Sequence, residues 1–154
     1  MPVIDFITSL KTRLTYFALH KLLYLIEYES VRSSGKRLTS AYFIRQKDGA
    51  YCTDLHPQKL KSYFSDLQLL KRGNQLYVQR MPVNLFASSF GDKQDKLTED
   101  SRKLIIKTIE KYGDYTNGEL KTKTYMTSPM REILRQEKHY NKNMFNIPIN
   151  FFVP

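Results

Sequence analysis

Residues 15–33 constrain this chain more than any other stretch. Tyr16, Phe17, Leu19, Leu22, Leu23, Leu25, Ile26, Tyr28 and Val31 lie too densely for one narrow stripe of a helix. A helix that is apolar nearly all round is buried on every side, so it must run through the middle of its domain. Thr12 or Thr15 can cap its start, and Ser33-Ser34-Gly35 ends it, with Gly35 suited to the left-handed cap position. The other elements are therefore expected to wrap around this helix.

Those elements are legible in outline. Val3, Ile4, Phe6, Ile7 and Leu10 predict a short first helix over 3–10. Leu38 to Arg45 reads as a strand, because Tyr42, Phe43 and Ile44 favour one, followed by a turn at Lys47-Asp48-Gly49. His56-Pro57 opens a helix running to about Leu67, with Leu60, Tyr63, Phe64 and Leu67 on its apolar stripe. Leu69 to Val78 reads as a hairpin around Gly73-Asn74. Residues 80–97 read as a long irregular connection or insertion. Thr98-Glu99-Asp100-Ser101 starts a helix through Ile109, which ends near Gly113. Thr116 caps another to about Tyr125, and Ser128-Pro129 opens a third to about Lys138. The apolar segment from Met144 to Phe152 closes an extended tail over 139–154. The expected fold is α+β and mostly α-helical, a single domain over 1–154 built on a buried central helix with a small sheet or hairpin.

Composition narrows the function classes. One cysteine, Cys52, excludes an internal disulfide framework and a cysteine-based zinc site, and agrees with a reducing compartment. No leader-like segment or long apolar run is present, so we expect a cytoplasmic protein without a membrane span. The net charge is +10, which raises nucleic acid as a partner. The excess is spread along the chain: residues 1–56, 57–100 and 101–154 carry 8, 7 and 10 basic groups against 5 acidic groups each. Without a basic block, a solvated basic surface explains the charge better than a dedicated interface.

Chemistry-bearing constellations are sparse. His20, His56 and His139 are never three or four residues apart, nor beside Cys52, and read as surface or capping residues. Glu27 and Glu29 point to different helix faces; a Glu buried on this helix is expected in an ion pair with Arg32, Arg45 or Lys21 rather than in catalysis. No metal, cofactor or enzymatic activity is expected. The segment 99–126 has the layout of a helix-turn-helix, whose second helix would offer Asn117, Lys121 and Lys123 to nucleic acid. Many helical hairpins share that layout. Lys59, Lys61, Lys71 and Arg72 flank Tyr63 and Phe64, but these rings fall on an apolar stripe and are expected in the core.

Several segments, taken in order, carry a resemblance. Lys21-Leu22-Leu23-Tyr24-Leu25-Ile26 on the central helix is followed by Gly35-Lys36-Arg37-Leu38-Thr39. Then come Tyr42-Phe43-Ile44-Arg45 and Asp48-Gly49-Ala50-Tyr51, Tyr112 to Leu120, and Thr124 to Pro129. In that order they resemble the Panacea, or SocA-like antitoxin, domain of bacteria, archaea and phages. Ala50 stands where the family's turn usually has proline. The resemblance covers roughly residues 3–137. It implies a mostly helical, non-catalytic module that neutralises a protein toxin by direct contact. One branch of the family hands the toxin to a protease, and a phage-borne member would block a host factor instead. Lys21, Tyr24, Arg45 and Tyr51 combine packing with polar reach and are the candidate partner-facing residues.

Overall fold

A computed structural model describes residues 1–82 and 97–154. Most of the connection expected over 80–97 therefore lies outside the described residues. The central helix is α2 (Tyr16–Ser34), and every residue from Ala18 to Glu27 is buried. Thr15 caps it by accepting the Ala18 N–H at 2.9 Å, and Gly35 closes it at φ 69°. The same Thr15 hydroxyl donates to Asn117 Oδ1 at 2.8 Å, so one side chain starts one helix and tethers another. Thr15→Ala is expected to lower stability by about 1 kcal/mol. A shift of the urea midpoint measures it, and Thr15→Ser should recover most of the loss.

Helices α4 (Glu99–Tyr112) and α5 (Asn117–Tyr125) pack against α2, and α1 (Pro2–Leu10) packs against α4. Thr98 caps α4. Thr116 and Glu119 form a reciprocal capping box on α5, as the T-x-x-E spacing allows. Helix α6 (Ser128–Tyr140) follows and packs on α5.

Two antiparallel sheets complete the domain. Strands β4 (Leu67–Arg72) and β5 (Gln75–Arg80) form the expected hairpin around Gly73, and β1 (Arg13–Thr15) joins the free edge of β5, pairing Leu14 with Val78. Three residues are too short for a period-two signal, so β1 has no sequence signature. Strands β2 (Phe43–Gln46) and β3 (Gly49–Cys52) form a second hairpin, pairing Phe43 with Cys52 and Arg45 with Ala50.

Three sequence expectations need correction. The strand expected from Leu38 starts only at Phe43, because the Leu38 and Thr39 N–H groups donate to the Glu27 carboxylate at 2.9 and 3.0 Å instead of to a neighbouring strand. The helix expected to reach Leu67 is α3 (Pro57–Tyr63) and stops early. Phe64 turns extended and Leu67 enters the sheet opposite Arg80, where both bury their side chains. Tertiary pairing overrides the helical spacing there and leaves Tyr63 exposed rather than in the core. Glu27, finally, pairs with Arg37 at 3.5 Å, not with Arg32, Arg45 or Lys21.

The tail lies along the outer edge of β2. Arg45 N–H donates to the Ile147 carbonyl at 2.9 Å, Asn146 N–H to the Arg45 carbonyl at 2.8 Å, and Ile149 N–H to the Phe43 carbonyl at 3.0 Å. These bonds satisfy donors and acceptors that a bare edge would expose. Beyond them Phe151 is buried, its ring 5.1 Å from Tyr24 and 5.4 Å from Phe43.

Candidate binding cleft

The N-terminal half of α2 and the β2–β3 turn enclose a cleft of about 410 Å³. Its aromatic walls come from Tyr16 and Phe17 on α2 and Tyr51 on β3; Gln46, Lys47 and Asp48 form the rim. A helix buried all round must still begin somewhere, and here its first turns meet solvent beside a tight two-residue turn. Gly49 at φ 97° allows that turn, and a Cβ at this position would stand 3.5 Å from Lys21 Nζ.

Lys21 dominates the cleft. The residue is 3% exposed and lines the cleft. Nζ donates to the Ala50 carbonyl at 2.6 Å and lies 4.6 Å from the centre of the Phe17 ring. An ammonium has three donors. Among the described residues Lys21 forms no salt bridge, because nearby Asp48 is taken by Lys121 on α5 at 2.8 Å. Burial pushes the Lys21 amine down to about 7; Asp48 opposes this, while Lys121 and Arg45 add to it. Lys121 in turn holds the Asp48 carboxyl below its ordinary range.

His20 sits beside it. Its Nδ1 accepts the Cys52 N–H at 3.0 Å, which places the ring proton on Nε2, and Nε2 has no partner among the described residues. The ring stacks on Tyr51 at 4.4 Å and meets the edge of Tyr16 at 4.5 Å. Burial, followed by the charge of Lys21, pushes His20 down to about 3, so it is neutral near pH 7. Tyr16 donates to the Leu55 carbonyl at 2.8 Å, which leaves Tyr51 to donate to the Tyr16 oxygen at 3.2 Å. Burial pushes the Cys52 thiol up to about 11, so it stays protonated.

The candidate partner-facing residues separate into two pairs. Lys21 and Tyr51 meet across the cleft. Tyr24 is fully buried, its hydroxyl donating to Thr127 Oγ1 at 2.6 Å while that hydroxyl donates onward to the Thr124 carbonyl. Arg45 is also buried, held by Glu137 at 3.1 and 3.3 Å and by the Tyr125 hydroxyl at 3.0 Å. It joins β2 to α6 rather than lining the cleft. Tyr16, Phe17 and His20 also line the cleft, and no motif in the sequence marks them as site residues. His20 is buried, against the expectation of a surface or capping role. That role does describe His56, whose Nδ1 accepts the Gln58 N–H, and His139, which is exposed. The nearest signal for His20 in the sequence was its place beside Lys21 on a helix apolar all round.

The expected nucleic-acid residues have partners of their own. Asn117 accepts from Thr15, Lys121 pairs with Asp48, and Lys123 Nζ lies 6.0 Å from the centre of the Tyr112 ring. Helix α5 buries Leu120 and Thr124 in the domain. Glu27 places both carboxylate oxygens on backbone N–H groups, and among the described residues no histidine bonds to it. No cluster of ligating side chains fit for a metal, and no helix long and apolar enough to cross a membrane, occurs among the described residues.

The family model for the SocA-like antitoxin, Panacea domain, matches residues 19–129. The chain belongs to that family. The matched span begins inside α2, includes the whole β2–β3 hairpin and ends at Pro129, the second residue of α6. Lys21 and Tyr51 thus fall within the matched span, whereas α1, β1 and the tail that covers β2 fall outside it. No curated protein and no solved structure matches.

Proposed function

We propose that this Panacea domain neutralises a protein toxin by direct contact, using the face around the cleft. The observation that carries this reading is the family match over residues 19–129, which includes every residue lining the cleft except Tyr16 and Phe17. Supporting it, Lys21 and Tyr51 come from separate segments of the chain and meet at one open concavity, the usual form of a recognition site. A buried cation without a counter-ion is costly to the fold, so a partner that supplies the missing charge repays that cost only in the complex.

The partner would be met in the cytoplasm. If the chain is phage-borne, the same face would engage a host factor. Inducible expression of the toxin encoded beside this gene, with and without this chain, tests the reading. Growth should be restored and the two proteins should co-purify. Persistent arrest despite abundant folded chain would overturn it. Measuring the toxin's half-life in rescued cells separates holding the toxin intact from delivering it to a protease.

A further inference from the structure

We propose that the cleft receives a carboxylate side chain of the toxin, which pairs with the Lys21 ammonium. This rests on the antitoxin reading and names its chemistry. The argument starts from an imbalance. Lys21 is 3% exposed, spends one donor on Ala50 and has no carboxylate within ion-pair distance among the described residues. Buried charges are ordinarily paired, so this one asks for an anion. The surroundings decide which kind. Asp48 is already neutralised by Lys121, and Arg45 by Glu137, while Lys47 on the rim is exposed to water, so Lys21 is the cleft's one buried charge without a counter-ion among the described residues. A single buried cation suits a monoanion. A phosphate dianion is better met by an arginine fork, and the nearest, Arg45, is occupied. The aromatic walls of Phe17, Tyr16 and Tyr51 suit the methylene stem of an acidic side chain, and His20 Nε2 offers a further donor beneath Tyr51.

The pairing has a thermodynamic signature. The free amine titrates near 7, and a carboxylate beside it raises that value, so the complex takes up a proton. The groups facing Lys21 do not titrate there. Asp48 on the β2–β3 turn is held low, Lys121 on α5 is held high, and His20 on α2 is pushed to about 3, while Arg45 on β2 is paired with Glu137. The phenols of Tyr16 and Tyr51 complete the surroundings, and burial raises the first.

The test is calorimetric titration of the full chain with its toxin, in buffers of different ionisation enthalpy. At pH 8 the wild-type complex should take up close to one proton, and affinity should fall as pH rises from 7 to 9. Lys21→Met should abolish the uptake and weaken binding about a hundredfold. Changing each toxin Asp or Glu to its amide, which leaves this chain untouched, should reveal one substitution that weakens binding equally and adds nothing to Lys21→Met. Lys21→Met binding within twofold of wild type, unchanged proton uptake, or no coupled toxin carboxylate would overturn the proposal while leaving the antitoxin reading standing. Binding of a DNA or RNA duplex that Lys21→Met abolishes, with no coupled carboxylate, would overturn it in favour of phosphate. Absence of any wild-type complex overturns both.

Discussion

Glu27→Ala is expected to cost the fold roughly 3–5 kcal/mol, the usual result of removing one partner from a buried, hydrogen-bonded charge. Glu27 is fully buried midway along α2. Its two oxygens accept the N–H groups of Leu38 and Thr39 and the Thr39 hydroxyl, and Arg37 approaches to 3.5 Å. The carboxylate thereby folds the segment after Gly35 back onto the helix and delivers the chain to β2. Without it, two backbone donors lose their acceptor and the Arg37 guanidinium loses its ion-pair partner. Glu27→Gln keeps the volume but turns an amide N–H₂ toward donors, so it should recover only part of the loss. The double variant Glu27→Met, Arg37→Met should cost less than the sum of its parts, because it removes both charges together. Urea midpoints for wild type, Glu27→Ala, Glu27→Gln, the double variant and its two single Met variants decide the matter. A loss below 1 kcal/mol for Glu27→Ala would show that the segment is held elsewhere.

Lys21→Met is expected to act in the opposite direction, raising stability below pH 7 by on the order of a few kcal/mol. The amine has a folded value of about 7 against an unfolded value near 10.5. Below pH 7 both states hold the proton, and the folded state bears the full cost of the buried charge. Between pH 7 and 10.5 the unfolded chain still holds the proton and the folded chain has released it, so wild-type stability rises with pH. From pH 7 to pH 9 the rise is about 2 kcal/mol. Above pH 10 the buried phenols of Tyr16 and Tyr24, whose values are raised, act against it, because the unfolded chain then ionises more readily. His20 adds a separate slope in acid. It stays neutral in the fold down to about 3, so stability falls as pH drops from 6.5 toward that value. Urea midpoints at pH 6 and pH 9 should show a clearly steeper rise in wild type than in Lys21→Met, which keeps only the smaller His20 contribution. An equal slope in both proteins would mean that the amine is solvated in the folded state. A variant that is more stable and binds less tightly is the expected pattern where a charge is kept for recognition rather than for folding.

The contrast between these two residues shows what was legible. Both are charged, both lie on α2, and both stand among apolar neighbours. Their position predicts burial for each. Nothing in the spacing says that Glu27 meets Arg37 and two backbone N–H groups, eleven and twelve residues onward, while Lys21 meets a carbonyl twenty-nine residues away and no acid. Tyr24 makes the same point. It carries the resemblance as clearly as Lys21 does, yet three residues along the helix turn it into the core against Phe43 and Phe151.

What the sequence determined by itself is the set of local decisions. Hydrophobic density made residues 15–33 a central helix. Thr15, Thr98 and Thr116 started helices because a hydroxyl accepts an orphan N–H, and Gly35 stopped one because it adopts positive φ without strain. The ordered motifs carried the Panacea resemblance. Tertiary structure alone decided where the short strand β1 pairs, where α3 gives way to β4, and that the tail seals the edge of β2. It also decided that Lys21, Tyr51 and His20 share one cleft. The physical reason is range: caps and periodicity act within a few residues, whereas pairing, burial and the charge balance of a cleft depend on which distant segments the folded chain brings together.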